Sequence, residues 1–357
     1  MEKYDNLINS GIVDIYKLNL DDLLNLKKSI INNDYKLFIS LPIFVKCDKK
    51  CIENYTYFEY NESIYYYYKI PIFFNSNKKI IVENNQVTTG NLDKLLDLLL
   101  YFLNMLKQLQ INVNNDCICY ENVISIKRFN NLYGHLKDEM FGLADFYHKY
   151  NNNNYTPLII YPNNDYYKNI KKIEKVLFNK VINPEYNNNT LIKINNIIIV
   201  DHHYELNTFH LFPKNITTKL INYFGNNSNN SNNINQNIFL TRNKITWVNH
   251  NINNNLELIN LSKKKGYNII NPEDLDIEQL INYFRNSNKI ITTFGSALVN
   301  LIYAKPNAKI IIIKSNSYKG HSINIFRNLI KNYNINYTIL DCDNNNNIEP
   351  KLFCESI

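Results

Sequence analysis

The chain has 357 residues, which exceeds the usual size of one compact domain, so two domains are expected. Hydrophobic residues make up 45% of it, which is ample for sizeable cores. The 39 lysines and arginines against 32 aspartates and glutamates give a net charge of +7, which suits an anionic small-molecule substrate but is too diffuse to indicate a nucleic-acid-binding protein. The 28 tyrosines and the asparagine runs are typical of an AT-rich genome, such as that of a large DNA virus or a protist, and carry no functional argument.

The first 110 residues predict both helices and strands. Helical spacing of apolar residues predicts helices over residues 1–30 and 91–108, and the leucines of the second are interpreted as core. Apolar, β-branched and aromatic runs predict strands over residues 37–45, 57–74 and 79–82. No motif of recognisable function falls in this part of the chain.

Neither a membrane span nor a secretory signal is expected. The best candidate span, residues 95–106, is short and is interrupted by Asp97. The N-terminal residues MEKYDNLINSG are polar, unlike a signal peptide. The sequence therefore predicts a soluble protein of the cytoplasm, which would be the host cytoplasm or the virion if the genome is viral.

Residues 120–200 predict strands and helices in alternation. Strands are predicted over residues 120–126, 158–161, 191–194 and 197–200, and helices over residues 136–150 and 166–179. This order is that of a parallel, doubly wound sheet.

A low-complexity segment divides the chain into two halves. A helix is predicted over residues 213–224, and the asparagine-rich residues 225–237 are expected to form a mobile loop. A second series of strands and helices begins at Ile238. The end of the chain after Asp341 is expected to be loose until Leu352.

Residues 289–314 predict a strand, a tight turn, a helix, a loop and a second strand. The apolar residues 289–293 suit a buried strand, and the small residues after Phe294 let the backbone approach a ligand closely. Such a turn places free N–H groups and the positive end of a helix dipole at one point, which suits a phosphate. The alternative is an ordinary strand-to-helix turn that binds nothing.

Metal binding is not predicted. Six cysteines are scattered through the chain, at positions 47, 51, 117, 119, 342 and 354. Their closest pairs lack the usual two-residue spacing of a zinc knuckle, so buried free thiols are expected. His202, His203 and His210 also lack a carboxylate at helical spacing.

Two separated groups of residues form a recognisable pattern. The first is Asn131-Leu132-Tyr133-Gly134-His135-Leu136-Lys137-Asp138-Glu139. The second comprises Thr241-Arg242, Gly266-Tyr267, Pro272-Glu273-Asp274-Leu275, Glu278-Gln279, Gly295-Ser296-Ala297-Leu298 with Asn300, and Ala304-Lys305-Pro306. Together they resemble the sequence marks of glycosyltransferase family 61, in the family's order; the first group is similar to its Asn-Tyr-Gly-His helix start, and the resemblance covers residues 120–330.

This resemblance implies an α/β fold of the GT-B type, in which two Rossmann-like domains face a cleft. The expected divisions are an acceptor-side domain over residues 1–212, a linker helix and asparagine-rich loop over 213–237, a nucleotide-sugar domain over 238–335, and a tail over 336–357. The implied activity is inverting transfer of a sugar from a nucleotide-sugar donor, expected to be UDP-linked, to a hydroxyl of a glycan or protein acceptor. No metal or other cofactor is implied, and a homo-oligomer is compatible with the sequence.

The resemblance assigns the donor site to six residues. They are Arg242, Gln279, Gly295, Ser296, Ala297 and Asn300. The planar guanidinium of Arg242 suits two phosphate oxygens, although a surface ion pair is the alternative. Asn300 could reach the nucleotide or cap a neighbouring loop, and Gln279 could instead pin its helix to the sheet.

His135 and Glu139 are the candidates for the general base that deprotonates the acceptor. They are four residues apart at the start of one helix and therefore share a face. The alternative is a pair that complements the dipole at the helix N-terminus.

Two departures from the family pattern indicate either a different donor or a fold that no longer transfers sugar. Phe294 stands where the family often has a histidine, and Ile312 stands where it usually has a glutamate for the ribose hydroxyls. The alternative is therefore a glycosyltransferase-like binding or structural protein that has lost catalysis.

Overall fold

A computed structural model describes part of the chain in detail. The described residues are 49–52, 55–61, 63–67, 72–75, 117–126, 133–150, 154–161, 164–184, 191–201, 212–226, 236–241, 252–316, 329–330 and 332–357. The helices predicted over residues 1–30 and 91–108, the strands predicted over 37–45 and 79–82, and His202, His203 and His210 lie outside them.

The chain forms two compact units, each built from separate segments. The first comprises Met1–Lys127, Asn153–Ile160 and Ile182–Asp201, and the second comprises Arg128–Asn152, Tyr161–Val181 and His202–Ile357. The predicted domains, by contrast, were continuous in sequence. In particular, the helix that follows residue 132 was predicted in the acceptor-side domain, whereas its contacts place it in the second unit.

The first unit contains a mixed sheet of seven strands. They are β1 (Lys49–Ile52), β2 (Tyr55–Tyr60), β3 (Ile64–Tyr67), β4 (Ile72–Asn75), β5 (Ile118–Ile126), β6 (Thr156–Leu158) and β7 (Leu191–Asp201). The strands β6, β5 and β7 are parallel neighbours, as their sequence predicts. The strands β2 and β3 pair antiparallel with β7, and each carries a further antiparallel strand.

The strand β7 joins the two strands predicted on either side of Asn195 and Asn196. These asparagines stay in the strand because their side chains bond to the neighbouring strand β5. The Asn195 amide donates to Glu121 at 2.8 Å, and the Asn196 amide donates to Asn122 Oδ1 at 3.0 Å. A polar pair within an isoleucine-rich strand therefore extends the sheet rather than ending it.

The second unit contains a sheet of five parallel strands. They are β8 (Gln236–Leu240), β9 (Tyr267–Ile270), β10 (Ser287–Thr293), β11 (Lys309–Lys314) and β12 (Asn336–Asp341), in the spatial order β12-β11-β10-β8-β9. This is a known order of doubly wound α/β sheets, and the α/β class is confirmed. The order reverses between β8 and β10, and ligands of such sheets bind outside the carboxyl ends of the strands at this switch point.

Among the described residues of the second unit, six α-helices and one longer 3₁₀ helix are described over their whole length, and residues 329–330 and 332–333 are also helical. They are α1 (Tyr133–Tyr150), α2 (Lys168–Leu177), α3 (Lys214–Asn226), α4 (Asn255–Lys264), α5 (Ile277–Asn286), the 3₁₀ helix Ser296–Tyr303, called the turn helix below, and α6 (Pro350–Ser356). The residues of α1 from Met140 to Tyr147 are all buried, so this part of the helix is enclosed on every side, whereas His148 and Lys149 near its end are exposed. No described helix is long and apolar enough to span a membrane.

The end of the chain is ordered, so the prediction of a loose tail is wrong. The strand β12 pairs along its whole length with β11. The Asp343 carboxylate accepts hydrogen bonds from the backbone N–H groups of Asn345 and Asn347 at 2.9 and 2.8 Å. The asparagine run thus forms a turn, because Asn346 tolerates a left-handed backbone, with φ 57°.

The prediction that the cysteines are buried free thiols is wrong in part. Cys51, Cys117, Cys119, Cys342 and Cys354 form no disulfide, as expected. Cys342 is buried, but Cys51 and Cys119 are exposed on strands of the first sheet, so the prediction of buried thiols is wrong for these two.

Candidate functional site

The candidate site lies at the carboxyl ends of β8 and β10, where the strand order of the second sheet reverses. Ile291 of β10 is in register with Phe239 of β8, so the two parallel strands end at the same level. Beyond them, Arg242 follows β8 and Gly295 follows β10, each by two residues. Arg242 itself lies outside the described residues. Thr241 before it is held to β9, since its backbone N–H donates to the Ile270 carbonyl at 2.8 Å.

The turn after β10 depends on a glycine. Gly295 has φ 144° and ψ −165°, a conformation that only glycine adopts readily. Phe294 before it is fixed to β11, because its N–H donates to the Ile313 carbonyl at 2.8 Å. The Leu298 N–H then donates to the Gly295 carbonyl at 3.0 Å and begins the turn helix. The first N–H groups of this helix, those of Ser296 and Ala297, have no partner within the helix itself.

Both departures from the family pattern are part of the protein core. Phe294 is 3% exposed and Ile312 is 0% exposed. Ile312 lies in the middle of β11, in register with Thr292 of β10. Neither position presents a polar group at the carboxyl edge of the sheet.

Asn300 is joined to a buried lysine of α1. The Lys137 ammonium donates to Asn300 Oδ1 at 2.9 Å and lies 4.3 Å from the centre of the Tyr303 ring. Lys137 is 0% exposed and Asn300 is 3% exposed. Burial lowers the pKa of Lys137 well below its usual value. The two stretches that carry the family resemblance are therefore in direct contact within one unit.

Sequence reasoning did not single out Lys137. Its only signal was its place between His135 and Glu139 in the first stretch. A lysine in a helix is ordinarily solvated, so nothing local distinguished it from the other lysines of the chain. Lys137 contacts Asn300 because α1 packs against the turn helix, and this packing is not visible in the sequence.

Glu139 is buried in α1, at 9% exposure. The helix begins at Tyr133, three residues before its predicted start, and its first turn contains no acidic residue. Because the effect of the helix dipole falls off within the first turn, Glu139 is too far along for the capping role. Lys137 is two residues from Glu139, about 200° around the helix, so the two side chains leave α1 on opposite sides. The side chain of His135 lies outside the described residues.

Gln279 forms a capping box at the start of α5. Its side-chain oxygen accepts a hydrogen bond from the Asp276 N–H at 3.0 Å, while the Asp276 side chain caps the N–H of Gln279. Lys172 of α2 bonds to the neighbouring Glu278 at 2.9 Å, which holds this helix start in place. The geometry favours the structural interpretation of Gln279 over nucleotide binding.

We expect Gln279→Ala to destabilise the protein by about 0.5–1 kcal/mol through loss of the cap, and to leave nucleotide affinity unchanged. Gln279→Glu retains the capping box and should keep the wild-type midpoint in urea. Titration of both variants with a nucleoside diphosphate tests this. A large loss of affinity in Gln279→Glu, with stability kept, would show that the side chain binds ligand.

No group of three or more histidine, cysteine, aspartate or glutamate side chains suitable for a metal ion occurs within the described part of the chain.

Comparison with known proteins identifies the sequence family. A family model described as Glycosyltransferase 61 matches residues 102–311, which is more than half of the chain. The match includes both α1 and the turn helix. No curated protein matches the chain significantly.

Proposed function

The chain belongs to glycosyltransferase family 61, and we propose that it transfers a sugar from a nucleotide-sugar donor to a hydroxyl of a glycan or glycoprotein acceptor. The observation that carries this proposal is the switch point of the parallel sheet. There, a glycine turn that opens a helix lies beside the strand that leads to Arg242. This is where doubly wound sheets bind nucleotides.

In this proposal the donor diphosphate binds at the carboxyl ends of β8 and β10. The N–H groups of Ser296 and Ala297 donate to its oxygens, and the helix dipole adds positive potential. The Arg242 guanidinium bonds to two phosphate oxygens at once. Both interactions strengthen as negative charge grows on the leaving diphosphate, so they stabilise the transition state more than the bound donor. A UDP-linked donor is proposed.

The acceptor hydroxyl loses its proton to Glu139 or His135. The hydroxyl oxygen forms a bond to the anomeric carbon as the bond from that carbon to the diphosphate breaks on the opposite face, so the sugar inverts. The partner residue of the pair orients the base.

A second candidate function is a nucleotide-binding protein without transferase activity. The burial of Phe294 and Ile312 favours it, since a nucleotide bound at this edge loses two polar partners that the family usually provides. Binding of a nucleotide without turnover distinguishes this function from the first.

The test is a thermal-shift series with nucleoside diphosphates and nucleotide sugars, followed by donor hydrolysis and transfer assays on any ligand that stabilises the protein. We expect a UDP-linked ligand to raise the melting temperature. Arg242→Ala should abolish that rise. Glu139→Gln, which keeps the shape of the buried side chain, should retain the rise and lower transfer about 100-fold or more.

The control is Arg285→Ala, which removes the same charge from the last turn of α5, before the amino end of β10. It should bind the ligand as wild type does. If Arg242→Ala also binds as wild type does, the assignment of Arg242 to the diphosphate is wrong. A wild-type protein that binds no member of the series would contradict the proposed function itself.

A further inference from the structure

Lys137 is buried without a carboxylate partner among the described residues. Its amine contacts Asn300 Oδ1 at 2.9 Å and lies over two aromatic rings, Tyr303 at 4.3 Å and Phe141 at 5.7 Å. Removing a lysine from water is costly unless a hydrogen bond and nearby π-systems offset the loss. Lys137 is fully enclosed, and the polar contact of its amine is the side-chain amide of Asn300. Packing alone therefore does not explain why a lysine occupies this position.

The contact joins one face of the turn helix to α1. Residues three apart in a 3₁₀ helix lie one above the other, so Asn300 and Tyr303 share a face. Lys137 touches both of them and also packs on Phe141, one turn further along its own helix. The side chain thus fixes the turn helix against α1 at one point.

Lys137 also sets the polarity of the Asn300 amide. Lys137 donates to Asn300 Oδ1 at 2.9 Å, and the Tyr303 ring 4.3 Å away favours the ammonium form, against the desolvation that lowers the pKa of Lys137. With the ammonium as donor, the Asn300 oxygen is the atom turned toward Lys137, because the flipped amide would set N–H groups against N–H groups. The Asn300 NH₂ group then faces away from Lys137 and is held there as a donor.

We propose that Lys137 is a positioning residue of the donor site, which holds the Asn300 amide so that its N–H groups donate to an oxygen of the bound nucleoside diphosphate. Side chains of a helix lean toward its N-terminus, so the Asn300 amide leans toward the Gly295 turn. This inference rests on the proposed function. The inference adds Lys137, which does not itself contact the diphosphate, to the donor site. It also limits Asn300 to donating hydrogen bonds to the ligand.

The variant Asn300→Asp keeps the hydrogen bond from Lys137 but removes the N–H groups that would donate to the ligand. A carboxylate still accepts a hydrogen bond from Lys137, and it gains an ion pair, so the melting temperature should equal or exceed that of wild type. The N–H donors are gone, and a negative charge replaces them. We expect affinity for the nucleoside diphosphate to fall about tenfold or more.

The matched control is Asn288→Asp. Asn288 Oδ1 accepts a hydrogen bond from Lys305 at 2.5 Å, so the substitution makes the same change from an amide to a carboxylate beside a lysine. Asn288 lies near the amino end of β10, at the other end of the strand from Gly295. Asn288→Asp should therefore bind the ligand with wild-type affinity.

The variant Lys137→Met keeps the length of the side chain and removes the donor. Affinity should fall severalfold because the Asn300 amide is no longer held. A merely structural lysine would instead lower the melting temperature and leave affinity, measured well below that temperature, unchanged.

The experiment is calorimetric titration of the full-length variants with whichever of UDP, GDP, ADP and CDP most stabilises the wild-type chain. Tenfold weaker binding by Asn300→Asp, with its melting temperature kept and Asn288→Asp unaffected, supports the proposal. Wild-type affinity in Asn300→Asp overturns it, even if Lys137→Met fails to fold. If no nucleotide binds to wild type, the proposed function fails, and this inference fails with it.

Discussion

Gly295→Ala is expected to abolish nucleotide binding and to lower the free energy of unfolding by about 1–3 kcal/mol. The backbone of Gly295 has φ 144°, where a Cβ atom is strained whatever space surrounds it. Relief of that strain would rotate the peptide that begins the turn helix and move its first N–H groups. Urea denaturation measures the stability, and thermal shift with the stabilising nucleotide measures binding.

The control for this prediction is Gly266→Ala. Gly266 also has positive φ, 79°, and a Cβ atom there would meet no other atom within 4 Å. It precedes β9, so it lies at the amino edge of the sheet, away from the candidate site. We expect a cost of about 1–2 kcal/mol and unchanged nucleotide affinity. Equal loss of affinity in the two variants would show that general destabilisation, not the turn, explains the effect.

Phe353→Ala is expected to destabilise the protein by about 3–5 kcal/mol. Phe353 of α6 is 0% exposed, and its ring centre lies 6.4 Å from that of Phe239 in β8. The substitution removes an aromatic ring from the core beside the sheet, and the surrounding strands cannot close the cavity. Chemical denaturation followed by circular dichroism measures the change.

Its neighbour Leu352 is the matched control. Leu352 is on the same helix but is 43% exposed, so Leu352→Ala should change the stability by less than about 1 kcal/mol. A loss of similar size in both variants would contradict the assignment of α6 to the core. A stable Phe353→Ala would mean that the end of the chain is as loose as its composition suggests.

The elements of the second half could be predicted because local signals and tertiary packing agree there. The runs that became β10 and β11 are apolar and β-branched, as strands buried in a parallel sheet require. Gly295 occurs where the backbone needs a conformation that other residues avoid. The capping box at Asp276 and Gln279 also has its signal in sequence, although it was interpreted first as ligand binding.

The asparagine-rich segments could not be interpreted from composition alone. An asparagine run predicts disorder by its low hydrophobicity, yet Asn254 accepts a hydrogen bond from the Ile348 N–H at 3.0 Å, and Asn346 bonds to Ser315 at 3.1 Å. These amides satisfy backbone and side-chain groups that come from distant parts of the chain. Their partners are set by the tertiary fold, which local composition does not reveal.

The role of Lys137 was also beyond sequence reasoning. Its neighbour in space, Asn300, is 163 residues away along the chain. The charge of a residue and the spacing of its neighbours along the sequence give information only about the helix on which that residue lies, and not about the helix that packs against it. The contact follows from the position of α1 in the second unit, which sequence order had placed in the first half.

The segments α1 and α2 belong to the second unit, although the strands that flank them in sequence belong to the first. At about 5–20 residues per second, a ribosome needs about 10–30 seconds to proceed from Lys137 to its partner 163 residues later. During that interval the part of α1 that packs on the turn helix lacks this neighbour, whereas Phe178 and Phe212, which pack on Tyr147 and Phe141, are made earlier. A shortened polypeptide that starts after residue 201 would therefore lack the lysine that bonds to Asn300 of its turn helix.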